Sequence, residues 1–134
     1  MRNVRWLWIV VGGFVAEVVG FLVLMGIRLL HGYGPLELKP LSAIGDFAFL
    51  AELFLVMALF GWWVGRRARG LVVLNGLLVG VAAVVIYEIA ASRSPVPVPH
   101  DFSYFLAHAV KVAGAAAGGI FAARRSSSTA PGMA

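Results

Sequence analysis

Residues 71–91 read LVVLNGLLVGVAAVVIYEIAA, an unbroken apolar stretch with a single charged residue, Glu88. At 1.5 Å per residue a helix needs about 20 residues to cross the ~30 Å hydrocarbon layer of a bilayer, and this stretch is long enough. A membrane strand would need only about 10 residues of alternating polarity, and no alternation is present. Arg66-Arg67-Ala68-Arg69-Gly70 precedes the stretch and Ser92-Arg93-Ser94-Pro95 follows it. Outward from this segment lie three more of the same kind, Trp6 to Leu30, Asp46 to Val64 and Phe102 to Ala123. The sequence therefore predicts an all-α membrane protein, a four-helix transmembrane bundle over residues 1–125. The small polar remainder, 126–134, is expected to be a disordered cytoplasmic tail.

Composition supports lipid as the solvent. Hydrophobic residues make up 61% of the chain and charged ones 13%, against roughly 45–50% and 25% in a globular domain, and the mean hydropathy is +0.93. A core built from 134 residues cannot hide that much apolar surface. The net charge of +5 does not point to nucleic acid, because the basic residues sit in short runs at segment ends and form no patch interleaved with aromatics. Anionic lipid headgroups are the expected partner of those runs. There is no cysteine, which excludes thiol chemistry, Cys-ligated zinc, iron–sulfur clusters and the quinone-linked disulfide oxidoreductases.

The arginines set the expected orientation. With the N-terminus inside, Arg2, Arg5, Arg66, Arg67, Arg69, Arg124 and Arg125 are all cytoplasmic, with no acid among them. The other side mixes Arg28, Lys39 and Arg93 with Glu37, Asp46, Glu88 and Asp101. This is the positive-inside distribution of a multi-pass protein of the plasma or inner membrane with both termini cytoplasmic. Trp6, Trp8, Trp62 and Trp63 then form a cytoplasmic aromatic belt, and Tyr33, Tyr87 and Tyr104 lie toward the outer one. Arg2 and Arg5 ahead of an apolar run also suit a signal peptide. No small-x-small cleavage site with a polar start follows, so the segment reads as an uncleaved anchor.

The connections differ in kind. Residues 66–70 make a tight turn. Residues 31–45 form the longest loop, whose Leu36, Leu38 and Leu41 suit the membrane surface. Residues 94–99 alternate with proline and read as stiff polyproline, and Asp101 is placed to cap the fourth helix. Asp46-Phe47-Ala48-Phe49 and Asp101-Phe102-Ser103-Tyr104 open the second and fourth helices, and each of those helices ends in paired arginines. A duplicated two-helix hairpin would leave such a pattern, although any two apolar segments look alike.

Two features remain inside the spans. Small residues recur four apart at Gly12–Ala16–Gly20, Gly61–Gly65, Gly76–Gly80 and Gly114–Gly118, which lets helix backbones approach closely in lipid, within one chain or between chains. Tight packing there would leave the opposite half of the bundle free to splay into a shallow cavity. The second feature is a set of ionisable residues, each costing roughly 2.5–3.5 kcal/mol at a helix centre unless it meets a partner or water. Counting depth at 1.5 Å per residue places Glu17 and Lys111 at about the midplane, and Glu52 and His108 in the outer third. The sequence thus offers two depth-matched pairs, Glu17 with Lys111 and Glu52 with His108. Asp101, Tyr104, His108 and Lys111 fall on one face of the fourth helix, and Glu17 and Arg28 on one side of the first. These two helices are expected to meet along their polar faces.

No motif names a reaction. His31, His100 and His108 share no ligand spacing, so neither a metal nor haem is expected, and no cofactor is implied. Buried ion pairs that fix register account for the charges as well as a pathway does. The leading functional expectation is a transporter or channel-like homo-oligomer using Glu17, Glu52, His108 and Lys111, with Arg28, Glu88, Asp101 and Tyr104 as outer-face polar groups. The alternative is a non-catalytic accessory or assembly subunit of a larger membrane complex. An enzyme acting on lipid through Asp101, Tyr104 and His108 ranks last, since no spacing supports it.

Overall fold

The computed structural model describes residues 4–30, 43–68, 70–95 and 100–128. They form four helices: α1 (Trp6–Leu30), α2 (Ala43–Gly65), α3 (Val72–Ala91) and α4 (Phe102–Ser128). All four are long and apolar enough to cross a membrane, and the chain is a multi-pass membrane protein with the expected four-helix architecture. Only 28–33% of the most apolar window of each span is buried within the bundle. Leu7, Phe14, Leu22, Leu55, Leu59, Phe105 and Phe121 point away from it and need hydrocarbon around them.

Two boundaries differ from expectation. α2 begins at Ala43, ahead of Asp46. α4 runs five residues past Ala123, to Ser128, where Ser126 Oγ donates to the Ala122 carbonyl at 3.0 Å and absorbs one acceptor of the last turns. Residues 31–42, which hold Tyr33 and the leucines of the loop expected over 31–45, residues 96–99 of the expected polyproline stretch and residues 129–134 lie outside the described residues. Asp101 does cap α4, its Oδ1 accepting from the Tyr104 amide at 3.0 Å.

The end of the bundle that carries Arg5, Arg66, Arg67, Arg124 and Arg125, here the basic end, is tightly knotted. The α2–α3 turn closes through Arg67 N–H to Val64 O at 3.0 Å and Ala68 N–H to Gly65 O at 3.0 Å. It then passes through Leu71 in the left-handed region, φ 50°, a strained conformation for a residue with a Cβ. Asn75 holds that conformation in place. Its Nδ2 donates to the Leu71 carbonyl at 2.9 Å and its Oδ1 accepts from the Arg5 amide at 2.9 Å. One fully buried side chain thus satisfies backbone groups at the starts of α1 and α3, where lipid would satisfy none. At the same end two tryptophans pack together. Trp8 and Trp63 meet edge to face with centroids 5.3 Å apart, and the Arg67 guanidinium lies 4.1 Å from the Trp63 ring centroid.

Glycines decide which helices touch. Cβ atoms at Gly114 and Gly118 would collide with the Phe54 and Ala58 carbonyls of α2, and one at Gly61 with the Ala115 backbone of α4. On the other side of α4, Gly76 and Gly80 of α3 sit against Gly119 and Val112. α4 is therefore zipped to both α2 and α3. α1 lies on the opposite side, with Gly12 against Val64 and Val79 and Gly13 against Ala83. α1 and α4 occupy opposite corners, and their backbones stay apart. The expectation that they meet along their polar faces is corrected: Gly114 and Gly118, which continue the polar face of α4, are taken up by α2. The two hairpins are also packed unlike one another, α3–α4 glycine to backbone and α1–α2 with Gly20 facing only the Glu52 carboxyl.

Candidate functional site: a cavity ending on a buried ion pair

Because the zipped contacts lie toward the basic end and midplane, the other half of the bundle opens. A cavity of about 400 Å³ lies there, bounded by Gly20, Phe21 and Leu24 of α1, Phe49, Leu53 and Met57 of α2, Tyr87 of α3 and the polar face of α4. The helices cannot close it without driving bulky side chains together, since beyond Gly80 and Gly114 neither α3 nor α4 carries a glycine at this end.

Its buried end is charged. Lys111 Nζ donates to Glu17 Oε1 at 2.7 Å, with side-chain exposures of 5% and 18%. The two long side chains span the diagonal that the backbones leave open. Lys111 also lies 4.6 Å from the Tyr87 ring centroid, a cation–π contact strengthened by the burial of the ammonium. Each partner alone would be an uncompensated charge at membrane depth, so the pair fixes both side chains.

The wall nearer the mouth is a polar cluster between α3 and α4. Glu88 accepts from the Tyr104 hydroxyl, and His108 Nε2 lies 3.0 Å from Glu88 Oε1. The Tyr104 and His108 rings meet edge to face at 4.4 Å, and Tyr87 meets His108 at 5.3 Å. Asp101 lines the mouth.

The expected Glu52–His108 pair does not form: His108 takes Glu88 instead. α2 turns Gly61 toward α4, and Glu52, nine residues earlier, falls on the opposite side and faces α1. A carboxylate on α3 at the depth of Tyr104 is the one within reach of His108. Glu88 lies three residues before the end of α3, as Tyr104 lies three after Asp101, so antiparallel depth counting on that hairpin contained the signal. Glu52 lies close to α1, its Oε1 3.4 Å from where a Cβ on Gly20 would sit. Both Glu52 oxygens are buried with no hydrogen-bond partner among the described residues, as is His108 Nδ1. Arg28 is half-buried near the end of α1 and does not line the cavity. Tyr87, expected only as a belt residue, forms part of the wall.

Among the described residues no three His, Asp or Glu side chains come together as metal ligands, and His31 lies outside them. The cavity has an apolar body and charged groups at its inner end. Comparison with protein-family models, curated proteins and solved structures gave no match.

Proposed function

We propose that the protein is a small solute transporter of the plasma or inner membrane, with both termini cytoplasmic, working as a homo-oligomer. The observation that carries the reading is the cavity ending on Glu17 and Lys111. Ligand sites are typically concave, mostly apolar clefts of roughly 300–1,000 Å³ with a few polar groups that fix orientation. A charged group on the solute can exchange with one partner of the pair, so no bare charge need cross the hydrocarbon. Glu17, Lys111 and His108 line this path, with Glu52 close behind Gly20; Asp101 and Tyr104 line its outer end, where Glu88 accepts from Tyr104, and Arg28 lies off the cavity near the end of α1. A second copy would supply the lateral wall that four helices are too few to provide. The arginines of the basic end would rest on anionic headgroups.

Flux in proteoliposomes tests this. Wild type should move a solute or ion under a proton gradient of one sign, and Glu17→Gln and Glu52→Gln should slow it. Wild-type vesicles that pass nothing under gradients of either sign would sink the reading. The accessory-subunit reading rests on the lack of a chemical motif, the many small-residue contact sites and the short loops; Gly12, Gly61, Gly76, Gly80, Gly114 and Gly118 are engaged within the chain, which weakens the second of these supports.

A further inference from the structure

The outer surface of the bundle carries a second concavity, between α2 and α4 toward the basic end. It is an apolar groove of about 280 Å³. Buried Gly118 and half-buried Ala58 and Ala117 form its floor, and Leu59, Trp62 and Phe121 its sides. Leu59 and Phe121 are about half exposed, so the groove opens to the hydrocarbon.

Two ladders of residues build it. Side chains four apart lie on one face of a helix. α2 carries Ala58, Trp62 and Arg66 at that spacing, and α4 carries Ala117, Phe121 and Arg125. On each helix a small residue opens the groove, a ring flanks it and an arginine follows. Arg66 continues the helical turn, its N–H donating to the Trp62 carbonyl at 2.9 Å. Gly114 meets the Phe54 backbone, and Gly118 meets the Ala58 carbonyl and the Trp62 amide. The two helices therefore run parallel with their ladders in register. At 1.5 Å per residue, Arg66 and Arg125 both stand about 10 Å beyond the Gly118 contact, at one depth.

The rings hold the guanidinium groups beside the groove. Arg66 Cζ lies 4.8 Å from the Trp62 ring centroid, and Arg125 Cζ 4.8 Å from that of Phe121. Cation–π attraction favours both placements, and both arginines are exposed. No acid occurs on α2 beyond Glu52 or anywhere on α4, so the rim of the groove is positive. An apolar groove with two cations at its headgroup end complements an anionic amphiphile. Basic pockets between transmembrane helices bind anionic headgroups, and a guanidinium fork can take two phosphate oxygens at once. A second copy of the chain is a poorer occupant. A two-fold axis along the membrane normal would set Arg66 and Arg125 against their own copies, and like charges across an interface oppose it.

We propose that the groove holds one anionic phospholipid of the leaflet at the basic end, its acyl chain between Trp62 and Phe121 and its phosphate on Arg66 and Arg125. This is retention of one lipid in a defined place, beyond the general contact of basic residues with a charged leaflet. It does not depend on the transporter reading.

Native mass spectrometry tests it on the full chain, stripped of lipid in neutral detergent and then given equal amounts of phosphatidylglycerol and phosphatidylcholine. One phosphatidylglycerol per chain should be retained in preference to phosphatidylcholine. Arg66→Gln and Arg125→Gln should each lower that retention about fivefold or more. Arg5→Gln removes the same charge at the same end, but on the α1–α3 side where the Arg5 amide meets Asn75, and should leave retention unchanged. Ala117→Leu fills the floor of the groove with both charges intact and should also lower it; if that variant does not fold, the arginine variants decide alone. Equal retention of the two lipids, or a loss in Arg5→Gln as large as in Arg66→Gln, overturns the proposal. A dimer that retains no lipid overturns it too and gives the groove to a second copy.

Discussion

Glu17 and Lys111 are joined by one 2.7 Å contact across a gap that their backbones leave open, and the pair invites a double-mutant cycle. Breaking a buried ion pair by removing one partner typically costs about 3–5 kcal/mol, because the remaining charge is stranded, whereas removing both costs less. Glu17→Gln and Lys111→Met should each lower thermal stability in detergent, and the double variant should recover part of the loss. Single losses that add to within about 0.5 kcal/mol would show that the two groups do not act on each other. Depth counting alone brought these two residues together on paper, since both lie near the midplane and hydrocarbon offers a charge no other partner. The same counting failed for Glu52 and His108, which share a depth but face different neighbours. Depth is one coordinate of a bundle; rotation about the helix axis is another, and it depends on contacts between helices that a single span does not encode. Asn75 escaped the sequence reading altogether. A lone polar residue near a helix start is unremarkable until the strained Leu71 and the Arg5 amide are seen converging on it.

At the scale of the element, the four spans were legible because length and hydropathy decide them, and the glycine spacing marked contact faces. Which faces meet was not legible. In the sequence Gly114 and Gly118 continue the polar face of α4, yet in the fold they seat the Phe54 and Ala58 carbonyls of α2. That contact can be broken selectively. Gly118→Ala puts a Cβ against the Ala58 carbonyl and must push α2 from α4, so its thermal midpoint in detergent should fall by several degrees. Gly26→Ala meets nothing within 4 Å, and exchanging glycine for alanine inside a helix gains up to about 1 kcal/mol. It should be neutral or mildly stabilising. Equal losses in the two variants would show that the close approach of α2 and α4 is not what the glycine serves.

For the molecule as a whole, orientation decides which side of the membrane the cavity faces, and the absence of cysteine makes it easy to test. A cysteine at Ser94 should react with an impermeant thiol reagent in intact cells, and one at Ser127 only after lysis; the reverse pattern would turn the bundle over. The long reach of two bonds bears on biogenesis as well. Arg5 waits for Asn75, 70 residues later in synthesis, and Glu17 waits for Lys111, 94 residues later. At about 5–20 residues per second, the first helix spends several seconds in the translocation machinery or the bilayer with its starting amide and its acid still without these partners. The ribosome therefore delivers the counter-charge last, and a nascent chain halted before α4 carries an exposed acid at membrane depth. Assembly of this bundle is complete only when its final helix arrives, so that helix serves as the checkpoint for the first.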